Sequence, residues 1–184
     1  GSEVRLWDVS AEHIASMRDT RENQRYLPGI TLPEKLSLFG DLAETLVGVQ
    51  DVFCVPPSHA FSQLLTTCQP LLGDDARIAW ATKGIDPESY ELLDQVAKNL
   101  LGDRAYAVLS GPSFAKEVAQ GLPTSVTVAA NQKAFADDLV RRFQGDNFCL
   151  YTSDDLIGVQ IGGALKNVYA IAAGISDGLG YGAN

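Results

Sequence analysis

An α/β fold with a mostly parallel sheet, followed by the first long helix of an all-α domain, is what this sequence predicts. Three observations carry that expectation. Short apolar runs of strand length alternate with amphipathic segments of helix length over residues 3–151. Runs such as YAVL at 106–109 are apolar at consecutive positions, which fits strands covered on both faces. Over residues 156–176 the alternation gives way to LIGVQIGGALKNVYAIAAGIS, in which Lys166 is the one formal charge.

The elements follow in order. Residues 3–7 (EVRLW) read as a strand, and 10–19 as a helix with Ser10 as N-cap and Ile14 and Met17 inward. Residues 23–33 are an extended, turn-rich connection. A brief strand at 36–38 precedes a helix at 41–47, and a strand at 52–55 is stopped by Pro56-Pro57. Ser58 caps a helix to about residue 67, and residues 78–81 form the next strand. Asp86 as N-cap, Pro87 at the first helical position and Gly102 past the end delimit another helix. Residues 106–109 are a strand, and Gly111-Pro112-Ser113 turns into a short helix. Strands at 124–130 and 148–151 flank an amphipathic helix at 132–144. Ser153 then caps the long uncharged helix. Together these make a Rossmann-like arrangement, whose ligands bind at the carboxyl ends of the strands.

Composition bounds the function. The chain has 184 residues, 46% hydrophobic and 20% charged, with a net charge of −9. Its 14 basic residues are scattered, which argues against nucleic acid and anionic membrane surfaces as partners. Cys54, Cys68 and Cys149 lie far apart and without histidine at metal-ligand spacing. No metal site is expected, Cys54 and Cys149 read as buried free thiols, and a reducing cytoplasm fits. The start GSEVRLWD has neither the cationic nor the apolar part of a signal peptide. The 156–176 stretch is long enough to raise the question of a membrane span, but a lysine near its middle favours a buried helix of a soluble protein.

Lys166 is the first candidate for chemistry. An unpaired ammonium in an uncharged stretch either reaches the surface or is used, and desolvation suits a lysine to proton transfer. Gly162, Gly163 and Ala170 flank it at helical spacing, leaving room for a ligand or for close helix packing. Lys83, in WATKGID, follows a strand and can reach a ligand oxygen, or it is a solvated loop lysine. In SGPSF, the N–H groups of Gly111 and Ser113 and the Ser113 hydroxyl could hold an anion, or they form a capped turn. His59, in the first turn of a helix, reads as a surface or cofactor-edge residue rather than a catalytic acid.

NQRYLPGITLP, VPPSHAF, WATKGI, SGPSFAKEVAQGLPT and IGVQIGGALKNVYAIAAGISDGLGYGAN, in this order, resemble the bacterial NAD(P)-dependent glycerol-3-phosphate dehydrogenases. The resemblance covers essentially the whole chain. It implies hydride transfer between a nicotinamide, NAD or NADP, and the pair dihydroxyacetone phosphate and sn-glycerol 3-phosphate. It also implies a small phosphate substrate and a cytoplasmic role in making glycerophospholipid precursors. Lys166 matches the catalytic lysine of GGxxKN. Lys83 matches the lysine that contacts substrate and cofactor, Gly111 and Ser113 the substrate-binding pair, and Ala115 a position beside the cofactor. Many relatives carry threonine where Ser113 stands; serine keeps the hydroxyl.

A dinucleotide fold opens with a strand and a Gly-rich turn, whereas residues 3–7 look like its second strand. The chain is therefore expected to be a fragment, inactive alone, of a protein that is a homo-oligomer when intact. Residues 1–153 would be a dinucleotide-binding domain lacking its first strand and Gly-rich loop, and 154–184 the start of a helical substrate domain. Asp8, ending that strand, can accept hydrogen bonds from an adenosine ribose and repel a 2′-phosphate, which favours NAD. Two other readings compete: another two-domain hydroxyacid dehydrogenase, or a non-catalytic nucleotide-fold interaction module.

Overall fold

The computed structural model describes residues 3–181. Gly1-Ser2 and the last three residues of the GYGAN ending lie outside them. The chain runs β1 (Val4–Trp7), α1 (Ala11–Thr20), β2 (Glu22–Asn23), β3 (Leu27–Thr31), β4 (Leu36–Phe39) and α2 (Leu42–Leu46). It continues through β5 (Asp51–Cys54), α3 (Ser58–Cys68), β6 (Arg77–Trp80), α4 (Leu93–Leu101) and β7 (Tyr106–Ser110). Last come α5 (Ala115–Ala119), β8 (Thr124–Ala130), α6 (Lys133–Phe143), β9 (Phe148–Ser153) and α7 (Leu156–Gly178).

The expected α/β architecture with a mostly parallel sheet is present, distributed over more than one sheet among the described residues. β1 pairs with β4 in parallel, and β5-β6-β7-β8-β9 form a five-stranded sheet. Within it only β7 and β8 run antiparallel. The segment read as an extended connection instead closes an antiparallel hairpin of β2 and β3.

Strand alternation divides the main core between two faces. Ile78, Trp80, Tyr106 and Val108 point to one face and pack with Phe61 and Leu65 of α3 and Leu93, Val96 and Ala97 of α4. Ala79, Ala107, Leu109, Val126 and Val128 point to the other, against Phe135, Ala136 and Leu139 of α6. Full burial of large apolar groups such as Phe61, Ile78 and Val108 is worth roughly 1.5–3 kcal/mol each. A smaller core joins Ile14 and Met17 of α1 to Leu38 of β4.

The caps at Ser10 and Gly102 follow the sequence, and Asp41, expected as part of its helix, adds another. The Ser10 hydroxyl accepts from the His13 N–H, and the Asp41 carboxylate accepts from the Glu44 N–H at 2.8 Å. Gly102 takes a positive φ of 66° at the end of α4. Others differ. Ser58 makes no side-chain cap; Pro57 occupies that position. The cap of α7 is Asp155, whose carboxylate accepts from the Gly158 N–H at 2.8 Å, while Ser153 accepts from the Asp155 N–H. α4 starts at Leu93 rather than at Asp86-Pro87. The Asp86 carboxylate is used locally, accepting from the N–H groups of Glu88 and Ser89 and from the Ser89 hydroxyl. Those bonds, led by the Ser89 N–H, hold its carboxyl below the usual range.

Cys54 and Cys68 are buried free thiols, whereas Cys149 is half-buried rather than buried. Burial, and to a lesser degree Cys68, pushes the Cys54 thiol up to about 12, and burial takes Cys68 to about 11. Both stay protonated and unreactive at neutral pH. α7 departs from the buried helix expected of it. Gln160 and Gly163 are its buried residues, whereas Ile157, Val168, Ile171 and Ile175 are exposed. It is long and apolar enough to cross a membrane by length and composition.

At the amino ends of the strands, Arg77 donates to Asp51 and to Asp138 at 2.6–2.9 Å, and Arg142 donates to Asp51 at 2.8 Å. This cluster fastens α6 to β5 and β6. The Arg77 hydrogen bond, then that of Arg141, lowers the Asp138 carboxyl to about 2. A depressed carboxylate pKa contributes stability that is complete above the unfolded value and lost as pH falls through the folded one. Urea midpoints should therefore drop between about pH 4 and pH 2, and less steeply in Asp138→Asn. Equal slopes in the two proteins would rule this out.

Candidate functional site

Three segments converge at the carboxyl ends of β6 and β7. The first is the turn after β6. Here the Thr82 hydroxyl donates to the Pro56 carbonyl at 2.7 Å, and Gly84 adopts φ +120°, a conformation L side chains rarely adopt. Between them Lys83 is half-buried. Burial, and then the charge of Lys166, lowers the Lys83 pKa.

The second is the turn after β7. A Cβ on Gly111 would lie 2.5 Å from the Ser125 carbonyl oxygen and 3.0 Å from the Val126 Cα. The backbone of β8 therefore passes where any other residue would place its side chain. The Ser113 N–H donates to the Gly111 carbonyl at 2.9 Å, and the Ser113 hydroxyl approaches the same oxygen at 3.4 Å. The Ser113 N–H is thus turned inward, and its hydroxyl keeps lone pairs for another partner. Phe114 is exposed and forms the N-cap of α5; Ala115, its first residue, is exposed as well.

The third is α7. A Cβ on Gly163 would meet the Ser110 Oγ at 2.5 Å and the Lys83 Cγ at 3.5 Å, so the helix crosses the end of β7 at that glycine. One turn earlier, the buried Gln160 side chain accepts from the Asp94 N–H at 3.0 Å and donates to the Leu156 carbonyl at 3.1 Å. That pair ties α7 to the first turn of α4. Lys166 is half-buried, with its Nζ 5.2 Å from the centre of the Phe114 ring, within cation–π range.

Lys83, Gly111, Ser113 and Lys166 thus come from three loops or helices to one edge, with Ala115 beside them. Among the described residues, neither lysine has a carboxylate within ion-pair distance. Sequence reasoning missed Ser110, Phe114 and Gln160. Gln160 carried a signal, being a polar side chain within the apolar stretch. Asp8 follows directly after β1, which pairs with β4 in a separate two-stranded sheet, and its Oδ1 accepts from the Ser10 N–H at 2.8 Å. His59 is exposed in the first turn of α3. An apolar groove of about 400 Å³ among Phe53, Leu109, Val118, Phe143 and Phe148 contains none of the candidate residues.

Residues 1–136 match the family model for the NAD-dependent glycerol-3-phosphate dehydrogenase N-terminus, and residues 155–184 match that for its C-terminus. The chain belongs to this family. It is 48% identical, over all of its own length, to glycerol-3-phosphate dehydrogenase [NAD(P)+] of Escherichia fergusonii, covering 55% of that protein. The Vibrio campbellii protein of the same name is 47% identical and 54% covered. The crystal structure of glycerol-3-phosphate dehydrogenase from Coxiella burnetii superposes with a TM-score of 0.90 at 46% identity, over 99% of this chain and 56% of that one. The chain therefore spans about half the length of these relatives. Membership of the glycerol-3-phosphate dehydrogenase family removes the reading as a different hydroxyacid dehydrogenase.

Proposed function

We propose that the intact protein interconverts dihydroxyacetone phosphate and sn-glycerol 3-phosphate with NAD or NADP, in the cytoplasm, for glycerophospholipid synthesis. The observation that carries this is the crossing at Gly163, which sets Lys83 and Lys166 together beside the Gly111–Ser113 turn. Two ammonium groups without a neighbouring carboxylate are a donor set for an anion, and the substrate and the cofactor are both phosphate esters. An anion between them relieves the repulsion and desolvation that lower the Lys83 pKa.

In this reading Lys166 is the catalytic residue. It gives a proton to the ketone oxygen during reduction and removes it from the hydroxyl during oxidation. A bound nicotinamide supplies or takes up the hydride. Lys83 holds the substrate oxygen and faces the cofactor, while the Gly111 turn and the Ser113 hydroxyl position the substrate. Ala115 borders the cofactor, and Asp8 accepts from the adenosine ribose. Residues 1–153 act as the dinucleotide-binding domain, and 154–184 begin the substrate domain; the start of the second family match at 155 supports that division. The intact protein is a homo-oligomer, and α7 packs against protein and does not span a membrane. The exposed apolar stripe of α7 needs covering by protein, and a lysine at its middle is costly in lipid.

The test is dihydroxyacetone phosphate-dependent NADH oxidation by the intact protein. No turnover with either nicotinamide would favour the non-catalytic module instead. With Asp8 in place, kcat/KM for NADH should exceed that for NADPH. A clear preference for NADPH would refute the role given to Asp8.

A further inference from the structure

His13 is buried, at 8% exposure, yet the reaction described above makes no use of it. Its Nδ1 lies 3.5 Å from Asp8 Oδ2, and its Nε2 lies 3.0 Å from Asn23 Oδ1. The Asn23 atom is an oxygen, because it also accepts from the Tyr26 N–H at 3.0 Å. An oxygen facing Nε2 requires that nitrogen to carry the proton. In a neutral ring Nδ1 then has only a lone pair to turn towards the Asp8 carboxylate. A second proton, on Nδ1, converts that contact into an ion pair.

The other charged groups nearby do not complete this arrangement. Glu12 and Arg25 line, with Ser10, His13, Ser16 and Gln24, a polar hollow of about 390 Å³. Arg25 also stacks on the Tyr26 ring, 5.1 Å from its centre, and Tyr26 in turn meets His13 edge-on at 5.3 Å. On β2, Glu22 accepts from the Gly29 N–H, and β4 presents no charged side chain. Arg18 and Arg21 donate to the carbonyls of Leu38 and Leu36.

We propose that His13 is a positioning residue that makes cofactor choice depend on pH. Protonated, it neutralises Asp8 and lets a 2′-phosphate settle by Arg25 in the hollow; neutral, it leaves the Asp8 charge to reject that phosphate. The inference rests on the reading of Asp8 as the residue facing the adenosine ribose.

The experiment measures the ratio of kcat/KM for NADPH to that for NADH in the intact protein, from about pH 5.5 to about pH 8. The comparison is of wild type, His13→Gln and Asp8→Asn. Glutamine keeps a donor for Asn23 but cannot gain a charge, so His13→Gln retains only the titration of the 2′-phosphate itself. The wild-type ratio should fall with rising pH by about fivefold more than the ratio in His13→Gln. Asp8→Asn should raise the ratio at alkaline pH. Identical profiles for wild type and His13→Gln, with Asp8→Asn still raising the ratio, would overturn the role of His13 and leave that of Asp8 standing. An unchanged ratio in Asp8→Asn would remove both. Should His13→Gln not fold, the ring signals of His13 in wild type, followed by NMR, should track the same pH curve as the selectivity ratio; separate curves would refute the link.

Discussion

Lys166→Met in the intact protein should lower kcat by about a hundredfold to ten-thousandfold, the usual worth of a positioned proton donor, and leave NADH binding nearly unchanged. Methionine keeps the unbranched stem but can neither give nor take a proton, nor face the Phe114 ring as a cation. NADH affinity should hold because the proposed cofactor contacts are made by Lys83, Ala115 and Asp8, and not by Lys166 itself. Steady-state kinetics with a fluorescence titration of NADH separate the two quantities. A kcat within tenfold of wild type would remove Lys166 from the chemistry, and a matching loss of NADH affinity would make its role one of binding.

Gly111→Ala should be the most destabilising single change in the site. The added carbon would meet the Ser125 carbonyl at 2.5 Å, and that atom is backbone, in a residue paired with Cys149 on β9. It cannot rotate away as a side chain can. The strain should cost about 1–3 kcal/mol, lowering the melting temperature by a few degrees for a chain of this size. The KM for the phosphate substrate should rise too, because the turn carrying Ser113 must shift to make room. By contrast, the atom nearest to a Cβ on Gly163 is the Ser110 hydroxyl, which can change rotamer, so alanine there should be milder. A melting temperature for Gly111→Ala equal to that of wild type would show that β8 yields more easily than its pairing suggests.

What could be read from the sequence was mostly what neighbouring residues decide. Ser10 and Gly102 act within one helical turn, and each caps as expected, whereas Asp41, expected as the first residue of its helix, caps it instead. Asp86 shows the limit of such reading. A cap residue followed by proline describes a helix start, but the carboxylate closed a turn instead, and α4 begins where Leu93, Val96 and Ala97 can reach the core. The direction of β8 relative to β7 was illegible, because a strand's alternation is the same whichever way it runs. The lysines and the Gly111 turn stood out individually through their settings. That α7 touches the end of β7 at Gly163 depends on a contact between residues far apart in sequence, and no local pattern announces it.

The tie of Gln160 to Asp94 and the crossing at Gly163 give α7 a fulcrum. At about 1.5 Å of rise per residue, Lys166 sits roughly 4.5 Å beyond Gly163, whereas the helix end at Gly178 sits roughly 22 Å beyond it. A swing that carries Gly178 through 5 Å, on the order of one helical pitch, would move the lysine by about one ångström. Displacement of the distal arm reaches Lys166 reduced about fivefold. The helix can thus take up large displacements at its far end while Lys166 holds its place beside Lys83.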